Sequence, residues 1–233
     1  MFVNAIFHTA RSVTIEIERE EIFRLEQPWE IYVNGTLYGT TDRVVTGIYG
    51  LKPETRYTIR VSRGEEAAEV EVTTDREFVT LNVRDFGAKG DGVQDDTPFL
   101  QAAILACPKD SRVLVPEGVY KITSLFLKDD LRLELAKGAV LSAETDRSKF
   151  AMLPGMIQAY DEVSEYNLGT WEGNPLPMFT SIITGISVKN VVIYGQGTID
   201  GNAGMENWWQ DAKVMRGAWR PRMIFLNHCE NVV

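Results

Sequence analysis

Across the first 76 or so residues, apolar side chains recur at every second position. In "SVTIEIE", Val13, Ile15 and Ile17 share one face while Thr14, Glu16 and Glu18 take the other, the period of a half-buried strand. "WEIYVNGTLYGT" has the same alternation around Asn34-Gly35, which supplies the two positive-φ positions of a type I′ hairpin turn. "RYTIRVSRGEEAAEVEVTT" reads as a further pair of strands around Arg63-Gly64. About seven short strands at this spacing predict a β-sandwich.

After "TTDREFVT", read as a joint, the pattern changes. Gly87, Gly90 and Gly92 predict a tight loop, and Asp95 or Asp96 can cap a helix whose first turn accepts Pro98. Phe99, Leu100, Ala103, Ile104 and Cys107 then fall on one helical stripe. Asp91, Asp95 and Asp96 also suggest a calcium loop. They lack regular alternation and a distal glutamate, so capping is the simpler account. From "SRVLVPEGVYKI" onward, short β-rich runs are introduced by polar pairs: Asp129-Asp130, Lys189-Asn190 and Glu230-Asn231. Recurring strands with polar corners and insertions of variable length predict a solenoid of stacked coils. The helix at 97–106 is placed to cover its first coil and the strand edges there.

Composition narrows the function classes. With 44% hydrophobic and 24% charged residues the chain has ample material for a core. A net charge of −9 argues against nucleic acid or an anionic membrane as partner. An anionic substrate would need a local basic patch. No apolar run has the length of a membrane span, and the first residues lack a signal-peptide pattern. The expectation is cytoplasmic residence, or secretion with a leader removed. Two cysteines, Cys107 and Cys229, and two histidines, His8 and His228, form no metal-ligand set. No metal or other cofactor is called for. Gly195-x-Gly197 is followed by no helix, so it is not a nucleotide loop.

Two resemblances sharpen this. Leu51, Pro53, Thr55 and Tyr57 in "GLKPETRYTIRV" resemble the corner of fibronectin type III domains, where a tyrosine hydroxyl ties the corner to nearby backbone. Such modules serve as spacers or docking units, with Trp29 as a ligand platform the minor reading. "NVRDFGAKGDGVQDDT" resembles the N-terminal cap of pectate-lyase-like right-handed β-helices. "VPEGVYKITSLFLKDDLRLELAKGAVLSA" and "VVIYGQGTIDGNAGMENWW" resemble early coils of glycoside hydrolase family 28, the polygalacturonases. The expected architecture is mainly β: a fibronectin type III-like sandwich over 1–76, then over 80–233 the N-terminal part of a right-handed parallel β-helix with a capping helix.

The second resemblance implies inverting hydrolysis of α-1,4-galacturonan. An acid and a base would stand about 6.5–9.5 Å apart to seat a water. The family's Asn-Thr-Asp, Gly-His-Gly and Arg-Ile-Lys motifs are not in the chain, and the Asp-Asp pairs at 95–96 and 129–130 lie in other contexts. The catalytic aspartates are therefore expected beyond Val233, with none in the chain and this stretch inactive alone. The candidates for substrate contact are Trp208, Trp209, Arg220 and Arg222, alongside Lys213 and Arg216, and Trp171 with Glu172 in the insert "YNLGTWEGN". Guanidinium groups grip uronate carboxylates, and aromatic faces pack on sugar rings. The insert suits a groove wall that favours exo action. The expected partner is an acidic polysaccharide or oligogalacturonide, with self-association through an open coil end as a further expectation. A calcium-dependent pectate lyase and a tailspike- or adhesin-like binding solenoid are the alternatives.

Overall fold

The computed structural model describes residues 2–158, 165–171, 173–210 and 220–233. The chain divides into two compact units, Met1–Glu77 and Phe78–Val233.

In the first unit, β1 (Phe2–His8), β2 (Ser12–Glu18) and β5 (Val45–Tyr49) form one antiparallel sheet. β3 (Arg24–Val33), β4 (Thr36–Arg43), β6 (Arg56–Arg63) and β7 (Glu66–Thr73) form the other, in the order β4-β3-β6-β7. The alternation in β2 is realised fully: Val13, Ile15 and Ile17 are sealed in a core with Trp29, Ile31, Ile48 and Ile59. Asn34 and Gly35 take φ of 49° and 77°, the type I′ geometry. The Tyr57 hydroxyl accepts a hydrogen bond from Lys52 N at 2.9 Å, tying the corner. Trp29 is no platform. Only 1% of it is exposed, and the guanidinium carbons of Arg19 and Arg63 stand 4.8 and 5.1 Å from its ring centroid.

The second unit opens with β8 (Thr80–Asn82), a 3-10 turn at Val83–Phe86, β9 (Asp91–Asp95) and helix α1 (Thr97–Ala106). The first coil is β10 (Arg112–Val115), β11 (Gly118–Ile122) and β12 (Leu125–Phe126), and the second begins with β13 (Arg132–Leu135) and β14 (Ala139–Ala143). A long insert between them and β21 carries β15 (Met152–Leu153), β16 (Met156–Ile157), β17 (Tyr166–Asn167), β18 (Thr170–Trp171), β19 (Asn174–Pro175) and β20 (Met178–Phe179). The winding resumes through β21 (Ile183–Ile186), β22 (Lys189–Gly195), β23 (Thr198–Asp200), β24 (Ile224–Asn227) and β25 (Glu230–Val232).

These strands stack in parallel on three faces of a β-helix: β8-β10-β13-β22-β25, β9-β11-β14-β23 and β12-β21-β24. Parallel register puts like on like, so Val113, Leu133 and Ile193 form one inward row and Tyr120, Leu141 and Ile199 another. Gly195 and Gly197 lie where the chain passes closely over Leu135. A Cβ on Gly195 would stand 2.1 Å from the Leu135 carbonyl oxygen.

The polar pairs are the corners between the third face and the first. Asp130, Asn190 and Asn231 all adopt left-handed backbone, at φ of 55°, 57° and 52°, a conformation short polar side chains tolerate. Their side chains stack into a ladder. Asn231 Nδ2 donates to Asn190 Oδ1, and Asn190 Nδ2 to Asp130 Oδ1, both at 3.1 Å. The intervals along the chain are 60 and 41 residues, so stacking survives a large change in coil length.

Helix α1 covers the first coil through Leu100, Ala103 and Ile104. It also satisfies the edge of β12: Gln101 Nε2 donates to Phe126 O at 2.9 Å, and Gln101 Oε1 accepts from Phe126 N at 2.7 Å. The capping expectation needs correction at Asp96. It occupies the N-cap position, yet its carboxylate makes no cap bond. It is fully buried and accepts instead from Lys89 N, Gly90 N and Gln94 Nε2, stapling the glycine loop. Asp95 supplies the helix contact, accepting from Thr97 N at 3.0 Å. Asp91 accepts from Gln94 N and Val93 N, and those bonds hold its carboxyl below the usual range.

Candidate functional site

Both long insertions leave the helix at one corner, between the second face and the third. One spans 144–182, the other 201–223, whereas in the first coil β11 reaches β12 through Thr123 and Ser124 alone. They therefore rise on the same side of the third face.

Their roots are fixed by polar and aromatic contacts. Burial alone would raise the Glu144 pKa. Donation from Lys149 at 2.6 Å and Lys121 at 3.0 Å, with the backbone N–H groups of Asp146 and Thr145, outweighs it and lowers the value to about 2. Trp208 packs edge-on against Phe150 at 5.5 Å and Phe179 at 6.2 Å. The Arg147 guanidinium lies over its ring and donates to the carbonyls of Asn207 and Trp208. Trp208 is 2% exposed. A Trp pair in a long loop either meets sugar or plugs the loop onto its own coil; the burial of Trp208 makes it the plug, and it drops out of the candidates for substrate contact.

Trp209 is 45% exposed, and the Arg220 guanidinium carbon stacks 3.9 Å from its ring centroid. Stacking on an aromatic face leaves the in-plane N–H edge of a guanidinium for an acceptor. Arg220 Nη1 is shielded from solvent and has no acceptor among the described residues. Arg222 lies over Phe225, 5.1 Å from its centroid, at the start of β24. Three of the sequence candidates therefore gather at one rim. Trp171 falls on β18 with its side chain outside the described part of the structure. Glu172, Lys213 and Arg216 lie outside the described residues.

β24 supplies a floor. Leu125, Ile183 and Ile224 form the inward row of the third face, so Phe225 and Asn227 point outward, in register with Thr184 and Ile186. At the far end of the strand the first insertion returns. Tyr166 lies against His228 with ring centroids 4.7 Å apart, and its hydroxyl accepts from Ser187 Oγ at 2.9 Å. Asn227 Nδ2 donates to Asn167 O at 3.2 Å. Arg222 thus lies at the start of β24, with Arg220, stacked on Trp209, just before it in the chain, Phe225 and Asn227 on the strand's outer side, and Tyr166 and His228 at its end. Nothing in the sequence patterns singles out Tyr166 and His228, because an insertion's return across a face is not a local signal.

The Asp-Asp pairs do no chemistry here: Asp129 accepts from Lys189 N, and Asp130 belongs to the corner ladder. Asp200 is a turn residue, accepting from Asn202 N at 2.9 Å. Among the described residues, no three acidic, cysteine or histidine side chains converge on a metal-sized site. A cavity of about 660 Å3 in the first unit is lined by Glu18, Glu20, Glu21 and Glu26 together with Arg19, Arg63, Phe2 and Trp29.

The family described as rhamnogalacturonase A/epimerase, pectate lyase-like, matches residues 80–224. The chain belongs to this family. Within and around it, the exo-poly-α-D-galacturonosidase of Dickeya chrysanthemi is 32% identical over 186 residues, covering 75% of this chain and 29% of its own length. The chain thus spans under a third of that relative. The family 28 exopolygalacturonase of Yersinia enterocolitica superposes with a TM-score of 0.63 at 21% identity, over 99% of this chain and 53% of that one. An exopolygalacturonase from Thermotoga maritima gives 0.52 at 24% identity, over 68% and 40%. These two likenesses concern the fold.

Proposed function

We propose that this chain contributes the early coils and the substrate-orienting walls of a polygalacturonase-type glycoside hydrolase acting on α-1,4-linked galacturonan. The observation that carries the reading is the 32% identity to a galacturonosidase. The Trp209–Arg220 stack and Arg222 fit it chemically. A polyuronate presents a carboxylate on every sugar, and a net charge of −9 would repel it unless cations were concentrated locally. The insertions rising beside the third face favour attack from a chain end. The first unit is a fibronectin type III-like spacer or docking module, a reading supported by its three- and four-stranded sheets and by the Tyr57 tie. The acid and base belong to other coils of the same protein and act with inversion, separated widely enough to admit water.

The natural full-length protein should release reducing ends from polygalacturonate, with the new anomeric centre inverted by NMR. The 233-residue chain alone should release none. Formation of an unsaturated product, abolished by chelator, would replace this reading with a lyase. Arg222→Gln should raise KM for de-esterified substrate about tenfold, equivalent to about 1.4 kcal/mol.

A further inference from the structure

Trp209 and Arg220 come from the two ends of the second insertion, and each end is held differently. The downstream end is tied to the coil, because Arg222 O accepts from Ile182 N at 3.1 Å. The upstream end is a turn whose base is fixed to β14: Asn202 Nδ2 donates to Ser142 Oγ and Ala143 O, both at 2.7 Å. Within the turn, Asn207 Oδ1 accepts from Gly204 N and Trp208 N. Its tip is held by the first insertion. Arg147 Nη2 donates to Asn207 O at 3.0 Å and to Trp208 O at 3.3 Å.

The second of those bonds falls on the peptide that leads into Trp209. The same peptide's N–H donates to Gly204 O at 3.1 Å. A peptide unit is planar, so holding its oxygen and its nitrogen sets the plane from which the Trp209 side chain departs. Arg147 is itself held in place. Asp146 caps its short 3-10 turn, accepting from Ser148 N and Ser148 Oγ at 2.9 and 2.7 Å, and Glu144 accepts from Asp146 N at 3.1 Å. A connected path of polar contacts thus runs from the Glu144 cluster to the backbone of Trp209.

We propose that Arg147 is a positioning residue for the Trp209–Arg220 pair. Through one peptide plane, the first insertion sets the cationic edge that the second offers to a uronate carboxylate. Arg147 makes no contact with substrate; its effect passes through Trp209 to Arg220. The inference rests on the galacturonan reading for its kinetic consequence, which is weaker capture of substrate with the chemical step unaltered.

The test is a double-mutant cycle in the full-length protein, with KM and kcat measured on polygalacturonate for Arg147→Gln, Arg220→Gln and the two together. Arg147→Gln should raise KM about fivefold with kcat within about twofold, and Arg220→Gln should raise KM about tenfold. The double variant should match Arg220→Gln alone, because the first effect acts through the second residue. Arg147→Lys keeps the charge without the planar fork and should recover part of the loss. Losses that multiply in the double variant, or a fall in kcat as large as the rise in KM, would overturn the proposal, because a general folding defect behaves so. A second readout needs no substrate. In protein labelled with fluorotryptophan, the Trp209 fluorine resonance, identified by its loss in Trp209→Phe, should move in Arg147→Gln toward its position in Arg220→Gln. An unmoved resonance would overturn the proposal. If the unaltered protein cleaves no galacturonan, the hydrolase reading fails, and this spectrum alone decides the role of Arg147.

Discussion

At the scale of the residue, Glu144 shows how little an acidic side chain's identity says until its neighbours are known. Two lysines and two backbone N–H groups converge on it, and its side chain is 8% exposed. Its folded-state pKa of about 2 lies below the ordinary 4.5, so folding favours the charged form. That stabilisation is present in full well above pH 4.5 and is lost as pH falls toward 2; it is on the order of 3 kcal/mol. Glu144→Gln should lower the melting temperature at pH 7 and flatten its decline between pH 5 and 3. Unaltered pH dependence in thermal melts would show the cluster to be decorative. The sequence did not mark Glu144, because Lys121 and Lys149 reach it through the fold. Asp96 was marked for the wrong reason. A helix-capping aspartate and a loop-stapling one occupy the same place in a sequence, and only the direction of the carboxylate separates them.

At the scale of the element, strands were legible and insertions were not. Alternation in β2 and the Asn34-Gly35 turn are local, so pattern and structure agree. The stripe on α1 is equally local, though the pairing of Gln101 with Phe126 is not. Trp208 and Trp209 are neighbours with opposite fates: one is enclosed by Phe150 and Phe179, the other carries Arg220. The partners that enclose Trp208 are Phe150, Phe179 and Arg147, the last 61 residues upstream, beyond the reach of periodicity. Trp208→Ala should cost about 3–5 kcal/mol as a core truncation. It should also expose both insertions to limited proteolysis while the strands of the helix stay protected. Cleavage spread evenly through the second unit would contradict the idea that Trp208 joins the insertions in particular.

For the molecule as a whole, the inward row of the third face is sealed at Leu125 and Ile183 but 46% exposed at Ile224, and Leu226 is 41% exposed. Among the described residues, β24 and β25 each have a strand partner on one side. Apolar side chains beside open backbone edges favour pairing with another chain. The 233-residue protein should show concentration-dependent association in sedimentation velocity, reduced by Leu226→Lys. A single sharp monomer boundary at high concentration would count against it. The solenoid itself was readable from its polar corners, since the pairs Asp129-Asp130, Lys189-Asn190 and Glu230-Asn231 announce a recurring turn. The reason for the repeat, left-handed backbone plus an amide ladder, required coordinates.

That ladder has an evolutionary consequence. One corner of each coil is pinned by the stacked side chains of Asp130, Asn190 and Asn231, while the corner between the second and third faces carries the insertions. Whole loops can be acquired or shed there between generations without re-laying a single strand. Divergence of such a scaffold toward new polysaccharides should run through insertion and deletion at that vertex more than through point replacement elsewhere.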